Sequence, residues 1–166
     1  MLSVEEITNR CCTVAVPASG TQLVRESFAK IEPKATITAL MFYQRLFALD
    51  PTLRVLFQRD IEQQSVKLMQ ALRFAVASLD NPREMQPVLE SLGRRHVYYG
   101  VLEHHYVTVG RALLEALEHV LGPAFTPEVK AAWLAVYLQM AETMKRAAAK
   151  VTKVSEQRDF AIGDGS

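Results

Sequence analysis

Two long apolar stripes at helical spacing, separated by a tight Gly-Pro break, decide most of what this chain can become. Leu102, Tyr106, Val109, Leu113, Leu117 and Val120 recur every three or four residues, the period that lines up one face of an α-helix. Gly122-Pro123 ends that run, because glycine takes the backbone conformation a helix C-terminus needs and proline cannot continue the helix. Thr126-Pro127-Glu128 then opens a second run, a capping hydroxyl followed by proline at the first helical position. Its stripe is Val129, Ala132, Trp133, Val136, Tyr137, Met140 and Met144. Two such helices joined by so short a turn pack as antiparallel neighbours.

Upstream, Gly and Pro punctuate further amphipathic segments. Ser19-Gly20-Thr21-Gln22 has the form of a capping box, and Leu23, Val24, Phe28 and Ile31 carry a first helix up to Pro33. A second helix is predicted over residues 34–49, offering Ile37, Leu40, Met41, Tyr43, Leu46 and Phe47 for burial. Asp50-Pro51 caps and starts a short third helix that leads into Val55-Leu56-Phe57. Residues 58–60 form a polar connection. Ile61, Gln64, Leu68, Leu72, Ala75 and Leu79 hold one face of a long helix that ends at Asp80-Asn81-Pro82. A further element over residues 83–96 is broken at Gly93 and closed by Gly100. No alternating segment bounded by hairpin turns competes with these patterns. The prediction is an all-α fold of six or seven helices, one domain over residues 21–151, with an N-terminal tail over 1–20 and a flexible polar tail over 152–166.

Composition narrows the function classes. Nineteen Lys and Arg against eighteen Asp and Glu leave a formal charge of +1, no electrostatic footprint for nucleic acid. The longest apolar runs, such as residues 39–43, are far too short to span a bilayer. Glu5-Glu6 stand where a secretory leader needs positive charge, and the adjacent Cys11 and Cys12 imply neither a disulfide framework nor a thiol metal site. A cytoplasmic protein with reduced thiols and an unstructured N-terminal extension is the expectation.

The usual catalytic and phosphate-binding motifs are absent from the chain, and the carboxylates fall on polar faces. Of four histidines, His104, His105 and His119 read as structural or exposed, but His96 shares a face with Leu89 and Leu92. Gln64 interrupts the apolar stripe it shares with Leu68, and Tyr43 sits among Leu40, Leu46 and Phe47. Burying an amide or a phenol without a partner costs about 1–3 kcal/mol. An inward His, Gln and Tyr on three helices therefore point to a polar target in the core, and a bound metal cofactor is such a target.

The segments Phe42-Tyr43, Leu56-Phe57, residues 64–68, Leu92-Gly93-Arg94-Arg95-His96 and residues 121–127, with Ala131-Ala132-Trp133, resemble a globin. The likeness is to bacterial single-domain globins and the globin part of flavohaemoglobins, and to neuroglobin in the last two helices. It covers about residues 21–151, and the ordered set of Phe, Gln and His ahead of two long helices is its most specific element.

This resemblance implies a three-over-three helical sandwich around haem b, with His96 as the proximal iron ligand. Phe57 would stack on the macrocycle; Leu68, Leu92, Val101, Tyr106, Val109 and Tyr137 would line the pocket, and Lys67 would reach a haem propionate. Tyr43 and Gln64 would face the gas site, where O2, CO and NO are the expected ligands. Two donors aimed at a polarised diatomic ligand contribute about 1 kcal/mol each, enough to tighten O2 binding tenfold or more. With Gln at position 64, the resemblance implies an open sixth coordination site. One departure bears on chemistry: flavohaemoglobins back the proximal His with a Tyr and a Glu, and eleven residues beyond Tyr137, where that Glu is expected, this chain has Ala148. A weaker push on the iron disfavours peroxidase chemistry. Three readings stay open: reversible O2 binding, dioxygenation of nitric oxide with electrons from an external reductase, and a gas sensor or haem-free structural globin.

Overall fold

A computed structural model of the chain describes residues 18–57 and 60–163; the expectations for the N-terminal tail and for Cys11 and Cys12 lie outside them. Among the described residues six α-helices follow one another: α1 (Ala18–Ile31), α2 (Ala35–Leu49), α3 (Ile61–Ala77), α4 (Pro82–Tyr98), α5 (Glu103–Leu121) and α6 (Pro127–Gly163). Short 3-10 turns, Glu32–Lys34, Pro51–Leu56 and Gly122–Ala124, link α1 to α2, extend the chain beyond α2 and join α5 to α6. No strand occurs among the described residues.

The punctuation acts as its chemistry requires. The Asp50 carboxylate accepts the Thr52 amide at 3.0 Å to open the 3-10 turn, and Asp60 accepts the Glu62 amide at 3.0 Å to open α3. Gly100 (φ +78°) lets the chain leave α4, and Gly122 (φ +53°) ends α5. Two boundaries differ from expectation. Ser19 lies inside the first turn of α1 rather than ahead of it, and residues 152–163, read as a tail, continue α6 as helix.

Helices α1, α3 and α4 meet α2, α5 and α6 across the core. α4 crosses α6, α1 rests on α5 and α6, and α2 packs on α3; within the second layer α5 contacts both α2 and α6. This is the three-over-three arrangement. Its core is divided. A main cluster is built around Val24, Phe28, Leu46, Leu117 and Trp133, and a second one, at the α4–α6 crossing, gathers Ala75, Met85, Leu89, Tyr106, Ala141 and Met144.

Two expectations about α2 and α4 fail for identifiable reasons. Ile37 and Leu40 are 56% and 50% exposed, and the buried face of α2 is Thr38, Ala39, Phe42, Tyr43 and Leu46. Thr38 can be buried because its hydroxyl donates to the Lys34 carbonyl at 3.0 Å, which removes the cost of an unpaired hydroxyl. Gly93 does not break α4, which runs through it to Tyr98; the glycine is buried because α6 lies directly against it.

One buried polar pair ties α1 to α6. The Ser27 hydroxyl donates to the Leu23 carbonyl at 2.7 Å and accepts the Trp133 indole N–H at 2.9 Å. Ser27→Ala leaves that N–H without an acceptor, so a loss of about 1–3 kcal/mol is expected. The midpoint of urea unfolding reads it directly, and an unchanged midpoint would contradict it.

Candidate functional site

Between the two parts of the core lies a cavity of about 230 Å³. Leu68, Ala71, Leu72, Ala75 and Val76 of α3 form one wall, and Leu92 and His96 of α4 another. Val101 and then His105, Tyr106, Val109 and Leu113 of α5 close a third, and Trp133, Val136, Tyr137, Met140, Ala141 and Met144 of α6 a fourth. Phe42 of α2 and Leu53, Leu56 and Phe57 of the following turn complete the lining. Nearly every wall atom is hydrocarbon, so the few polar groups are conspicuous.

His96 is the most tightly specified of them. Its place in register with Leu89 and Leu92 brings it to the inner side of α4, where it is half-buried. Nδ1 stands 2.8 Å from the Leu92 carbonyl oxygen. A carbonyl only accepts, so Nδ1 carries the hydrogen and the lone pair of the neutral ring is on Nε2. Burial pushes the imidazole pKa below its usual value, which keeps the ring neutral at pH 7. The Tyr106 ring stacks on it at 6.1 Å and the Tyr99 ring lies at 6.3 Å. A neutral imidazole with one nitrogen fixed by a backbone carbonyl is a pre-oriented metal ligand.

Tyr106 itself is buried, and its hydroxyl has no hydrogen-bond partner among the described residues. Its carbonyl accepts the Tyr137 hydroxyl. Burial raises the pKa of both phenols, so each stays protonated.

Tyr43 and Gln64 are arranged differently from the expected pair of donors aimed into the cavity. The Tyr43 ring is held edge-on against two lining rings, Phe42 at 5.0 Å and Phe57 at 5.4 Å. Its hydroxyl donates to the backbone carbonyl of Gln64 at 3.3 Å, and burial pushes its pKa up to about 12. Neither Tyr43 nor Gln64 lines the cavity. Lys67 is exposed and also outside the lining. His96, Phe57, Leu68, Leu92, Val101, Tyr106, Val109 and Tyr137 do share that one space.

Sequence reasoning missed His105. It is buried, lines the cavity and accepts the Leu102 amide through Nδ1 at 3.0 Å, closing the start of α5. Histidine is not among the usual capping residues, so only its adjacency to Tyr106 could have drawn attention to it.

Comparison with known proteins converges on one family. The family model described as Globin matches residues 40–144. A flavohemoprotein of Bordetella parapertussis is 41% identical over 107 residues, 62% of this chain, and the chain spans 26% of that protein's length. Neuroglobin of Danio rerio is 30% identical over 142 residues, covering 77% of this chain and 89% of its own. Among solved structures, an engineered carbene transferase built on RmaNOD from Rhodothermus marinus superposes with a TM-score of 0.77 at 30% identity, covering 85% of this chain and 99% of that one. A bacterial globin from Campylobacter jejuni, 21% identical, shares the fold with a TM-score of 0.72 over 82% of this chain and 99% of its own. Every residue lining the cavity, from Phe42 to Met144, falls inside the stretch matched by the family model, and the chain belongs to the globin family.

Proposed function

We propose that this globin would hold haem b through Nε2 of His96 and bind O2, CO and NO reversibly. The observation that carries the reading is the 2.8 Å contact from His96 Nδ1 to the Leu92 carbonyl, which leaves the Nε2 lone pair oriented in a mostly apolar cavity. Membership of the family implies a haem cofactor, and the donor set fits it: of the two imidazoles among the hydrocarbon walls, His105 spends its Nδ1 lone pair on the Leu102 amide, while that of His96 Nε2 is free. When bound, haem supplies the iron at which diatomic gases coordinate.

The chain's own residues do the rest. Phe57 offers a ring face or edge to the macrocycle; Leu68, Leu92, Val101, Val109 and Tyr137 keep water from it. Lys67, exposed one residue from Leu68, contributes at most a weak contact to a propionate, since exposed ion pairs are worth about 0–1 kcal/mol. Tyr43 is the adjustable donor. Its bond to Gln64 is long for an O–H donor, and trading it for a bond to a polar ligand gains only the difference between the two. The pKa near 12 keeps the proton in place for that exchange. Tyr43→Phe is expected to speed O2 release about fivefold, the equivalent of about 1 kcal/mol; stopped-flow release rates measure it, and an unchanged rate would show that the hydroxyl never leaves Gln64.

A second reading rests on the Rhodothermus marinus relative, whose parent protein is described as a nitric oxide dioxygenase. In it the same pocket supports oxidation of NO by O2 to nitrate, with the electron supplied by a separate reductase. The partnerless Tyr106 hydroxyl, with Ala148 where flavohaemoglobins are expected to carry Glu, supports binding over oxygen-activating chemistry. Spectra of the reduced protein with and without CO test the main reading: a haem band that shifts on CO addition is expected, and a colourless protein that takes up no haemin overturns it. Sustained nitrate production from NO with a general reductase would favour the second.

A further inference from the structure

Where α2 ends and α5 begins, three ligand-bearing side chains face one another, and of them only His105 also lines the cavity. Asp50 closes α2, and its carboxylate is aimed by Thr52, whose amide and hydroxyl both donate to Oδ1, at 3.0 and 2.5 Å. Oδ2 is left free by these contacts. His104 and His105 occupy the first turn of α5, with their rings edge to face at 4.3 Å. One ligand atom from each of the three lies within 4.8 Å of the others, yet the carboxylate makes no hydrogen bond to either ring. The three groups are thus close enough to share one ion without being bonded to one another.

The protonation states suit an ion. The Thr52 hydroxyl holds the Asp50 carboxyl below the usual range. Burial, and then the neighbouring His104, lower the pKa of His105, and metal ligation requires deprotonated donors. One carboxylate oxygen with two imidazole nitrogens selects borderline cations such as Zn2+, Cu2+ or Ni2+ over Mg2+ and Ca2+, which take oxygen ligands.

We propose that Asp50, His104 and His105 bind one divalent first-row transition ion, of which Zn2+ is the simplest probe. Metal–ligand bonds of about 2.0–2.2 Å need the side chains to draw in slightly, which the exposed His104 and half-buried Asp50 can do. Coordination also has a definite local consequence at His105. An ion on Nδ1 takes the lone pair that now accepts the Leu102 amide, and an ion on Nε2 drives the ring proton onto Nδ1, facing that same amide. Either way the Leu102 bond is exchanged for a metal–nitrogen bond. The ion would join the start of the Leu53–Phe57 wall to the start of the His105–Val109 wall.

The test is Zn2+ binding by the full chain, with Cys11 and Cys12 alkylated, followed by chelator competition and metal analysis. One Zn2+ per chain is expected. His104→Asn, which removes an exposed ring, and Asp50→Asn, which keeps an oxygen for the Thr52 cap, should each weaken binding at least about tenfold. His119→Asn should leave it unchanged. In the parent chain Zn2+ should raise the thermal midpoint and shift the Leu102 amide resonance, and both responses should vanish in His104→Asn. No uptake, or uptake indifferent to His104→Asn and Asp50→Asn, overturns the proposal.

Discussion

His96→Ala is expected to abolish stable haem retention, with the affinity falling more than about a hundredfold. The figure is a floor: removing an outer partner of a ligand already costs about 10–100-fold, and here the ligand itself goes. The fold should survive, because His96 is half-buried and its side-chain bond runs only to Leu92 of its own helix. Far-ultraviolet dichroism and the urea midpoint should therefore stay close to those of the parent while the haem band is lost. Free imidazole added to the variant fills the same space with the same donor and should restore part of the band. If His96→Ala binds haem as tightly as the parent, the ligand is another group, and His105 is the other imidazole lining the cavity.

Much of this architecture is legible in the sequence because it follows from one-dimensional rules. The stripes of α5 and α6, the Asp50-Pro51 start and the Gly122 stop are local statements about periodicity and capping, and the structure realises them except at Leu102, which precedes α5 and is exposed. His96 could be singled out because its register with Leu89 and Leu92 is also a local property. What could not be read depends on partners distant in sequence. The inward face of α2 is turned by packing against α3 and α5, so Ile37 and Leu40 are left outside and Thr38 goes in. The Tyr43 hydroxyl meets a backbone carbonyl 21 residues away, and no spacing rule distinguishes that acceptor from a ligand in the cavity. His105 reads only as structural or exposed because its role, accepting the Leu102 amide, belongs to a backbone geometry rather than to a residue pattern.

Gly93 is the other position where a small change should have a large effect. A methyl group placed there would lie 2.3 Å from the Met144 carbonyl oxygen and 2.7 Å from its Cα. Both are backbone atoms, so no side-chain rotation relieves the contact, and α4 must move off α6 by about 1 Å to reach ordinary packing distance. In an exposed helix the same Gly→Ala change would stabilise by about 1 kcal/mol. Here overpacking at a cost of about 1–3 kcal/mol, or more, outweighs it, and Gly93→Ala is expected to lower the thermal midpoint by several degrees. Because His96 follows three residues later on the helix that must shift, haem should also dissociate faster. Met144→Ala cannot rescue the variant, since the clash is with main chain. Gly110 supplies the contrast: a Cβ there meets the Tyr137 ring at 2.5 Å, a side chain, so Tyr137→Leu should relieve much of the damage done by Gly110→Ala. If Gly93→Ala instead raises the midpoint, the two helices are not in backbone contact, and the close crossing that positions His96 is not there.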